Sequence, residues 1–532
     1  MKHAISGLQS VFIWVMRPLE RLAGHISDKA AQRLLTLSFF LMTLQHYVRL
    51  SGLGARFLRL APIPQVLQFF FFDLLGCVIM LLAALFSIRG KLEKKNWNPW
   101  LAGIWYAMCL FMLIASVAVS VDWLPDFFIM SLVFPCLFFI WNNRGDYDVL
   151  FACLCRAVLW FTGAFVLASM LFCPLTGAQY AGMFTNPNTL GQYMTVTLMA
   201  ALGLMGAKLR HGFSIKSLFL PLAAIGVAAA FLIFSQSRTA LVAALFVLVL
   251  WLVVTTWFDH KGKRLRGLIK TAAALLISVV VCYPLCFGAI QLFSGLVNHP
   301  VDMFALEQHE ALLASSEQAS GQEPGQASGQ EDTASSDSGE KTAPTQPPAA
   351  EGEQAQGASS APAGESGQEE QNQQSLGGIL GGLTDRFSTQ GKDANEISTY
   401  RFDVWKTYLR EVNLFGNANR ALYVNEIVGE KKTAHNTYIQ VAFDNGVFTA
   451  VCYFALNIIS AVFAVRFFLR RREQSDYALF PVLVMGGFGV VSLLESVFYP
   501  FGSLISFLYW MVQAPVMDRA VFTKRERKGE ST

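Results

Sequence analysis

Long apolar runs broken by short polar stretches fill most of this 532-residue chain. A helix that crosses a bilayer takes about 20 mostly apolar residues. Runs of that kind lie near 31–51, 66–88, 98–119, 123–141, 149–173, 187–207, 217–234, 238–257, 268–294, 446–468, 478–498 and 500–517, and the last two also read as one re-entrant hairpin. The pattern predicts an all-α polytopic integral membrane protein of about twelve transmembrane helices with one large external loop. Nine helices fall within 31–294 and three within 446–517. Ahead of them, in a segment covering 1–30, "ISGLQSVFIWVMRPLERL" reads as an interfacial amphipathic helix. Its apolar set is interrupted by Arg17, Glu20 and Arg21, so a cleavable secretory signal is not expected.

Between the two helix groups the pattern changes twice. Residues 295–386 form an acidic Gln/Ser/Gly/Pro insert, with no Phe, Trp or Tyr from Ala305 to Arg386 and Lys341 the lone Lys or Arg before Arg386. Such a stretch buries too little apolar surface to offset chain entropy and is expected to be largely disordered. Aromatic residues return in 387–445. There Ser398 to Val412 read as a short helix with Ser398 as cap, and Phe402, Trp405, Leu409 and Val412 share one face.

Composition agrees with the bilayer. Hydrophobic residues make up 54% and charged residues 15%, against about 25% charged in soluble domains. Lys and Arg then set an orientation. With residue 1 on the cytoplasmic side, "RGKLEKK", "NNRGDYD", "KLRHGFSIK", "DHKGKRLRG", "LRRREQSD" and the tail 518–532 all fall on that side. The opposite loops, "VDWLPD", "CPLTGAQYAGMFTNPN" and "SQSR", are almost bare of Lys. Arg49, Arg56 and Arg59 break the pattern, and they read either as contacts with lipid phosphates or as part of a grip on an anionic lipid. The formal net charge of +4 is mostly this cytoplasmic edging, and no nucleic-acid partner is expected.

Candidate chemistry gathers on the external side. In "FSQSRTAL", Arg238 opens a helix whose N-terminus points outward, with Ser235 and Ser237 beside it. Unpaired N–H groups, the helix dipole and a planar guanidinium together suit phosphate oxygens. Arg238 also reads as an arginine reaching the outer headgroups. In "GMFTNPNTL", Asn186 is a good N-cap, Pro187 suits the first helical position, and Asn188 adds a polar group. His435 and Asn436 close the external segment in "AHNTYIQ". An imidazole exchanges protons near neutrality and suits a general base for a hydroxyl nucleophile. Among charges within apolar runs, Asp73, Arg156 and Glu495 are expected to pair or to face a cavity, and Glu495 is a minor site candidate near the outer face. Asp444 in "FDNG" reads as a turn residue. The nine cysteines sit in or beside apolar helices with no metal-ligand spacing, so neither a disulfide nor a metal site is expected.

"NPN" at one helix start, "SQSR" at another, "YRFDVW" in a large external loop and "HNTY" closing it occur in that order. Over roughly Gly182 to Phe468 the chain thereby resembles the O-antigen ligase and polysaccharide polymerase superfamily. The resemblance implies a GT-C-like architecture. It also implies transfer of a glycan from an undecaprenyl-diphosphate-linked donor to a hydroxyl on a glycan, lipid or protein acceptor. That reaction takes place outside a bacterial cytoplasmic membrane and needs no metal, nucleotide or other cofactor. By motif, Arg238 and Arg401 would bind the diphosphate and His435 would act on the acceptor. Asn186, Asn188, Ser235, Ser237, Asn436 and Trp405 would line the substrate site. The acidic insert departs from the family pattern. The rival reading is a lipid-linked oligosaccharide flippase or other polysaccharide transporter; the halves show no internal repeat, and the polar clusters lie at one face rather than mid-membrane.

Overall fold

The structure is a computed structural model and describes residues 2–51, 64–175, 179–212, 214–259, 264–294, 296–297, 376–388, 398, 400–424 and 430–519. Most of the acidic insert, together with Arg56 and Arg59, lies outside these residues. Helix α1 spans Lys2–Ala23, α2 Asp28–Leu50, α3 Gln65–Ser87 and α4 Pro99–Ala118. Next come the helical run α5 (Val121–Arg144), α6 (Tyr147–Phe172), α7 (Pro187–Arg210), α8 (Ile215–Ser235), α9 (Arg238–Asp259) and α10 (Arg264–Ser294). Then follow α11 (Leu376–Phe387) at the end of the insert, α12 (Arg401–Glu411), an antiparallel hairpin of β1 (Leu422–Val424) and β2 (Glu430–Lys432), and α13 (Thr437–Asn445). The chain closes with α14 (Val447–Arg471), α15 (Phe480–Leu494), α16 (Leu504–Met511) and α17 (Gln513–Met517).

All twelve predicted segments are helical, but nine helices among the described residues, α3 to α10 and α14, are long and apolar enough to cross a membrane. The chain is thus a multi-pass, all-α membrane protein. Helix α2 has the length but carries Asp28, Lys29, Arg33 and Arg49. Helix α15 has 15 residues, and Leu504–Met517 is likewise short of the roughly 20 needed. Helix α15 stops at Leu494, four residues before the sequence pattern ends it, which puts Glu495 on irregular chain rather than on a helix.

Polar caps set the helix starts. Ser27, Asn98 and Asp146 each accept a backbone N–H of the first turn of α2, α4 and α6. Within α5 a π-helical stretch, Ile129–Val133, precedes Pro135. Proline has no N–H to offer the preceding turn, and the wider turn accommodates the loss. Trp105 Nε1 donates to the Met130 carbonyl at 2.8 Å within this stretch.

Helix α7 is the centre of the bundle, with 89% of its apolar window buried, against 28% for each of α9, α10 and α14 at the rim. Successive long helices run antiparallel, so the loops divide between two ends. At one end Thr185 Oγ1 reaches Leu50 O (3.4 Å), Tyr180 N reaches Phe234 O (2.9 Å), and His46 Nε2 bonds Pro500 O (3.1 Å). At the other, Arg89 pairs with Asp28 (2.7 Å) and Asn98 N donates to Met517 O (2.8 Å). Arg49 and Asp73 form an ion pair of 2.7 Å, and Arg156 is exposed along α6.

The segment between the insert and α14 has its own small core of Val404, Tyr408, Val424, Ala434 and Phe443. The expected apolar face of α12 is therefore corrected. Val404 and Tyr408, one turn apart, point inward, whereas Phe402 and Leu409 are exposed. The helix also starts at Arg401 rather than Ser398, with Tyr400 at its N-cap in a left-handed conformation. Within the span assigned to the insert, Leu376–Phe387 is helical and Ile379 is buried.

Two glycines seat this segment on α14. Gly416 (φ +90°) and Gly446 (φ +85°) sit where an added Cβ would come within 2.1 Å of Asp444 O and Leu414 O respectively. Gly446→Ala is therefore expected to unseat the 413–416 loop from the start of α14. Limited proteolysis of membrane-embedded protein should show the 400–445 segment cut faster in the variant while α14 stays protected.

Candidate functional site

Four pieces of chain meet at one end of the bundle: the α8–α9 turn, the start of α12, the loop before α13 and the break after α15. Glu495 joins them. One carboxylate oxygen takes Arg401 Nη2 at 3.0 Å and Thr239 Oγ1 at 3.3 Å, and the other bonds His435 Nδ1 at 3.1 Å. Arg401 Nη1 donates to the Leu494 carbonyl, and its Nη2 lies 3.5 Å from Thr239 Oγ1. Thr239 is the residue after Arg238, so the N-terminal turn of α9 sits directly against the Arg401–Glu495–His435 chain. The carboxylate side chain is 10% exposed, Arg401 19% and His435 33%, so the carboxylate is the most buried of the three and the imidazole the most exposed.

Burial raises the Glu495 pKa, but the His435 bond and the Arg401 charge outweigh it and hold the group below the usual carboxylate range. A carboxylate on Nδ1 fixes the ring and leaves Nε2 as the nitrogen that would take a proton.

The backbone at these points is unusual. Among the described residues, three non-glycine positions have positive φ: Gln236 (φ +50°), Tyr400 (φ +60°) and His435 (φ +47°). The first lies two residues before Arg238, the second immediately before Arg401, and the third is the imidazole itself. Each left-handed residue costs about 1–3 kcal/mol and persists only where its surroundings enforce it.

The predicted pair of helix N-termini is present. Asn186 caps α7, accepting Asn188 N at 2.8 Å, and both asparagines are exposed. An added Cβ at Gly191, on the first turns of α7, would come within 2.7 Å of Ala240 Cβ and 2.8 Å of Ser237 Cβ. The two positive helix ends therefore lie side by side. Gly191→Ala is expected to push them apart, weakening binding of any ligand that spans both while leaving the fold intact. A several-fold loss of affinity for such a ligand is the outcome to look for.

Several residues expected to line a substrate site make hydrogen bonds within the fold. Ser235 and Ser237 are buried. Ser235 Oγ bonds Leu232 O (2.8 Å) and accepts Ser237 N (3.3 Å), and Ser237 Oγ faces Ala240 N (3.5 Å) as the cap of α9. Asn436 is buried, accepts Tyr438 N and Ile439 N at 3.0 and 3.1 Å, and donates to Leu493 O at 3.1 Å. Trp405 Nε1 donates to Ala434 O at 2.8 Å, tying α12 to the residue before the imidazole. These bonds brace the chain beside Arg238 and His435.

Sequence reading undervalued a second cluster behind His435. Asp444 is buried in α13 rather than serving as a turn residue. It accepts Gln440 Nε2 at 2.8 Å and Tyr499 OH at 2.9 Å, and burial raises it to about 7 against those bonds and the Arg420 charge. Gln440 Oε1 also takes Ala434 N at 2.8 Å. Arg420 lies 4.2 Å over the Trp123 ring, 5.1 Å from the Tyr499 ring and 3.5 Å from Asp126. The cluster pins the 400–445 segment to α5 and to the loop that carries Glu495. Charges and aromatics spread over residues 123, 126, 420, 444 and 499 leave no spacing signal in the sequence; only the fold collects them.

Compared with protein-family models, curated proteins and solved structures, the chain gives no match.

Proposed function

We propose that this chain is a membrane glycosyltransferase of the O-antigen ligase or polysaccharide polymerase type. It would move a glycan from an undecaprenyl-diphosphate-linked donor to an acceptor hydroxyl at the outer face of a bacterial cytoplasmic membrane, in the synthesis of cell-surface polysaccharide. The observation that supports this reading is the Arg401–Glu495–His435 chain set against the helix end that bears Arg238.

In the proposed reaction His435 Nε2 takes the acceptor O–H proton as that oxygen attacks the anomeric carbon. The bond from that carbon to the diphosphate oxygen breaks, and the electron pair leaves with the diphosphate. Glycosyl diphosphates carry their own leaving group, so the two carboxylates of glycoside hydrolysis are not needed. Positive charge on the departing group is needed, and Arg238 with the N-termini of α7 and α9 supplies it. Arg401, with its donors already on Glu495, Thr239 and Leu494, is read as the residue that positions the carboxylate rather than as a direct diphosphate ligand.

The test is purified protein in liposomes containing lipid-linked donor and a soluble acceptor glycan. Transfer of the glycan with release of undecaprenyl diphosphate is expected. Movement of intact donor across the bilayer with no glycan transferred would make the chain a flippase and overturn the enzyme reading.

A further inference from the structure

The end of the bundle opposite Glu495 holds a second feature, independent of the enzyme reading. Helix α1 is not simply laid beside the bundle. Its Gln9 is 1% exposed and exchanges two hydrogen bonds with the backbone of Lys95, Nε2 to Lys95 O at 3.0 Å and Lys95 N to Oε1 at 2.9 Å. The chain end after α17 joins the same place, with Arg519 N on Asn96 O at 2.9 Å. Three distant segments are thus locked around a cavity of about 740 Å³. Lys94, Lys95, Arg519 and His3 line it, and among the described residues no Asp or Glu does. Lys94 Nζ is held by Ser6 Oγ at 3.0 Å.

One to two turns further along α1, the same helix walls an apolar groove of about 350 Å³. Phe12 and Met16 form one side, and Cys77, Met80 and Ala84 of α3 another. Gln9, Phe12 and Met16 follow at helical spacing, so polar cavity and apolar groove share one face of α1. Trp14 and Trp100 stand 73% and 74% exposed nearby, the placement of aromatic side chains at a membrane–water boundary. A cationic pocket and, one to two turns along the same helix, an apolar slot match an amphiphile with a negative head and an aliphatic tail.

We propose that this crevice holds one anionic phospholipid, its phosphate against Lys94, Lys95 and Arg519 and an acyl chain in the groove under α1. The shared chemistry is a phosphate ester. The lipid, rather than a soluble phosphate, is the source to which the apolar groove points.

Full-length protein in detergent is titrated with dioctanoyl phosphatidylglycerol, dioctanoyl phosphatidylcholine and glycerol phosphate, with binding read by thermophoresis. Phosphatidylglycerol should bind about tenfold or more tighter than either of the others. K94Q/K95Q/R519Q should lose about 100-fold for phosphatidylglycerol, the order expected for three basic side chains meeting one anionic head. K29Q/K91Q/K216Q, which removes three exposed charges elsewhere at the same end, should bind as the unaltered protein does. Equal binding of phosphatidylcholine overturns the proposal, as does equal loss in the second triple variant. Glycerol phosphate binding as tightly as the lipid overturns the lipid assignment. Should the first triple variant fail to fold, the three-ligand comparison on the unaltered protein still decides.

Discussion

Replacing Glu495 with alanine is expected to reduce glycan transfer by about 10²–10⁴-fold, the whole contribution of a general base, although Glu495 itself would touch neither donor nor acceptor. The carboxylate holds His435 by Nδ1 and Arg401 by Nη2, so its loss releases both at once. Arg401 would then be left as a mostly buried cation without its counter-charge, and breaking a buried pair in this way costs about 3–5 kcal/mol. Reduced thermal stability of the extracted protein should therefore accompany the loss of activity. Glu495→Gln keeps the volume and one acceptor and should recover part of the stability but little of the transfer. The sign of the pH effect follows from the lowered pKa. A carboxylate depressed in the folded state stabilises the fold above its unfolded pKa, and that contribution disappears as pH falls through the depressed value. Thermal stability of the unaltered protein should accordingly hold through mild acid and drop only below the ordinary carboxylate range, a drop missing from Glu495→Gln. Wild-type transfer by Glu495→Ala would remove the carboxylate from the mechanism.

His435→Ala and Arg238→Ala should both abolish measurable transfer, yet by separable routes. In the proposed reaction the imidazole acts on the acceptor proton, so His435→Ala should still bind lipid-linked donor while kcat falls by about 10²–10⁴-fold. Arg238 is assigned to the diphosphate, where each charge-assisted hydrogen bond is worth about 1.5–3 kcal/mol. Its removal should weaken donor binding as well as the chemical step. Lysine at 238 should restore only part of the activity, because a point charge does not reproduce the fork. Donor binding measured on membrane-inserted protein separates the two variants. If His435→Ala loses donor affinity and Arg238→Ala keeps it, the two side chains have exchanged roles.

Much of this arrangement could be read along the chain. Unbroken apolar runs define the long helices because a bilayer demands their length, and Asn186 and Ser237 mark helix starts because few residues cap as well. The gathering of residues 186, 238, 401 and 435 at one end follows from counting helices, since each crossing reverses the end. Three things did not show. Glu495 read as a minor site candidate with no named partner; the early stop of α15 is what frees it to bridge two other segments. The inward face of α12 runs through Val404 and Tyr408, because its partners Phe443 and Ala434 come from later in the chain, whereas the isolated helix pattern points to Phe402, Trp405, Leu409 and Val412. Left-handed backbone at Gln236, Tyr400 and His435 leaves no compositional trace, as glycine would have done.

Those three residues carry a consequence for robustness. Conformations that unfavourable persist only where the surrounding chain enforces them, so the backbone beside Glu495 depends on distant packing rather than on local preference. A substitution that loosens that packing is expected to disturb the constellation without touching any of its side chains.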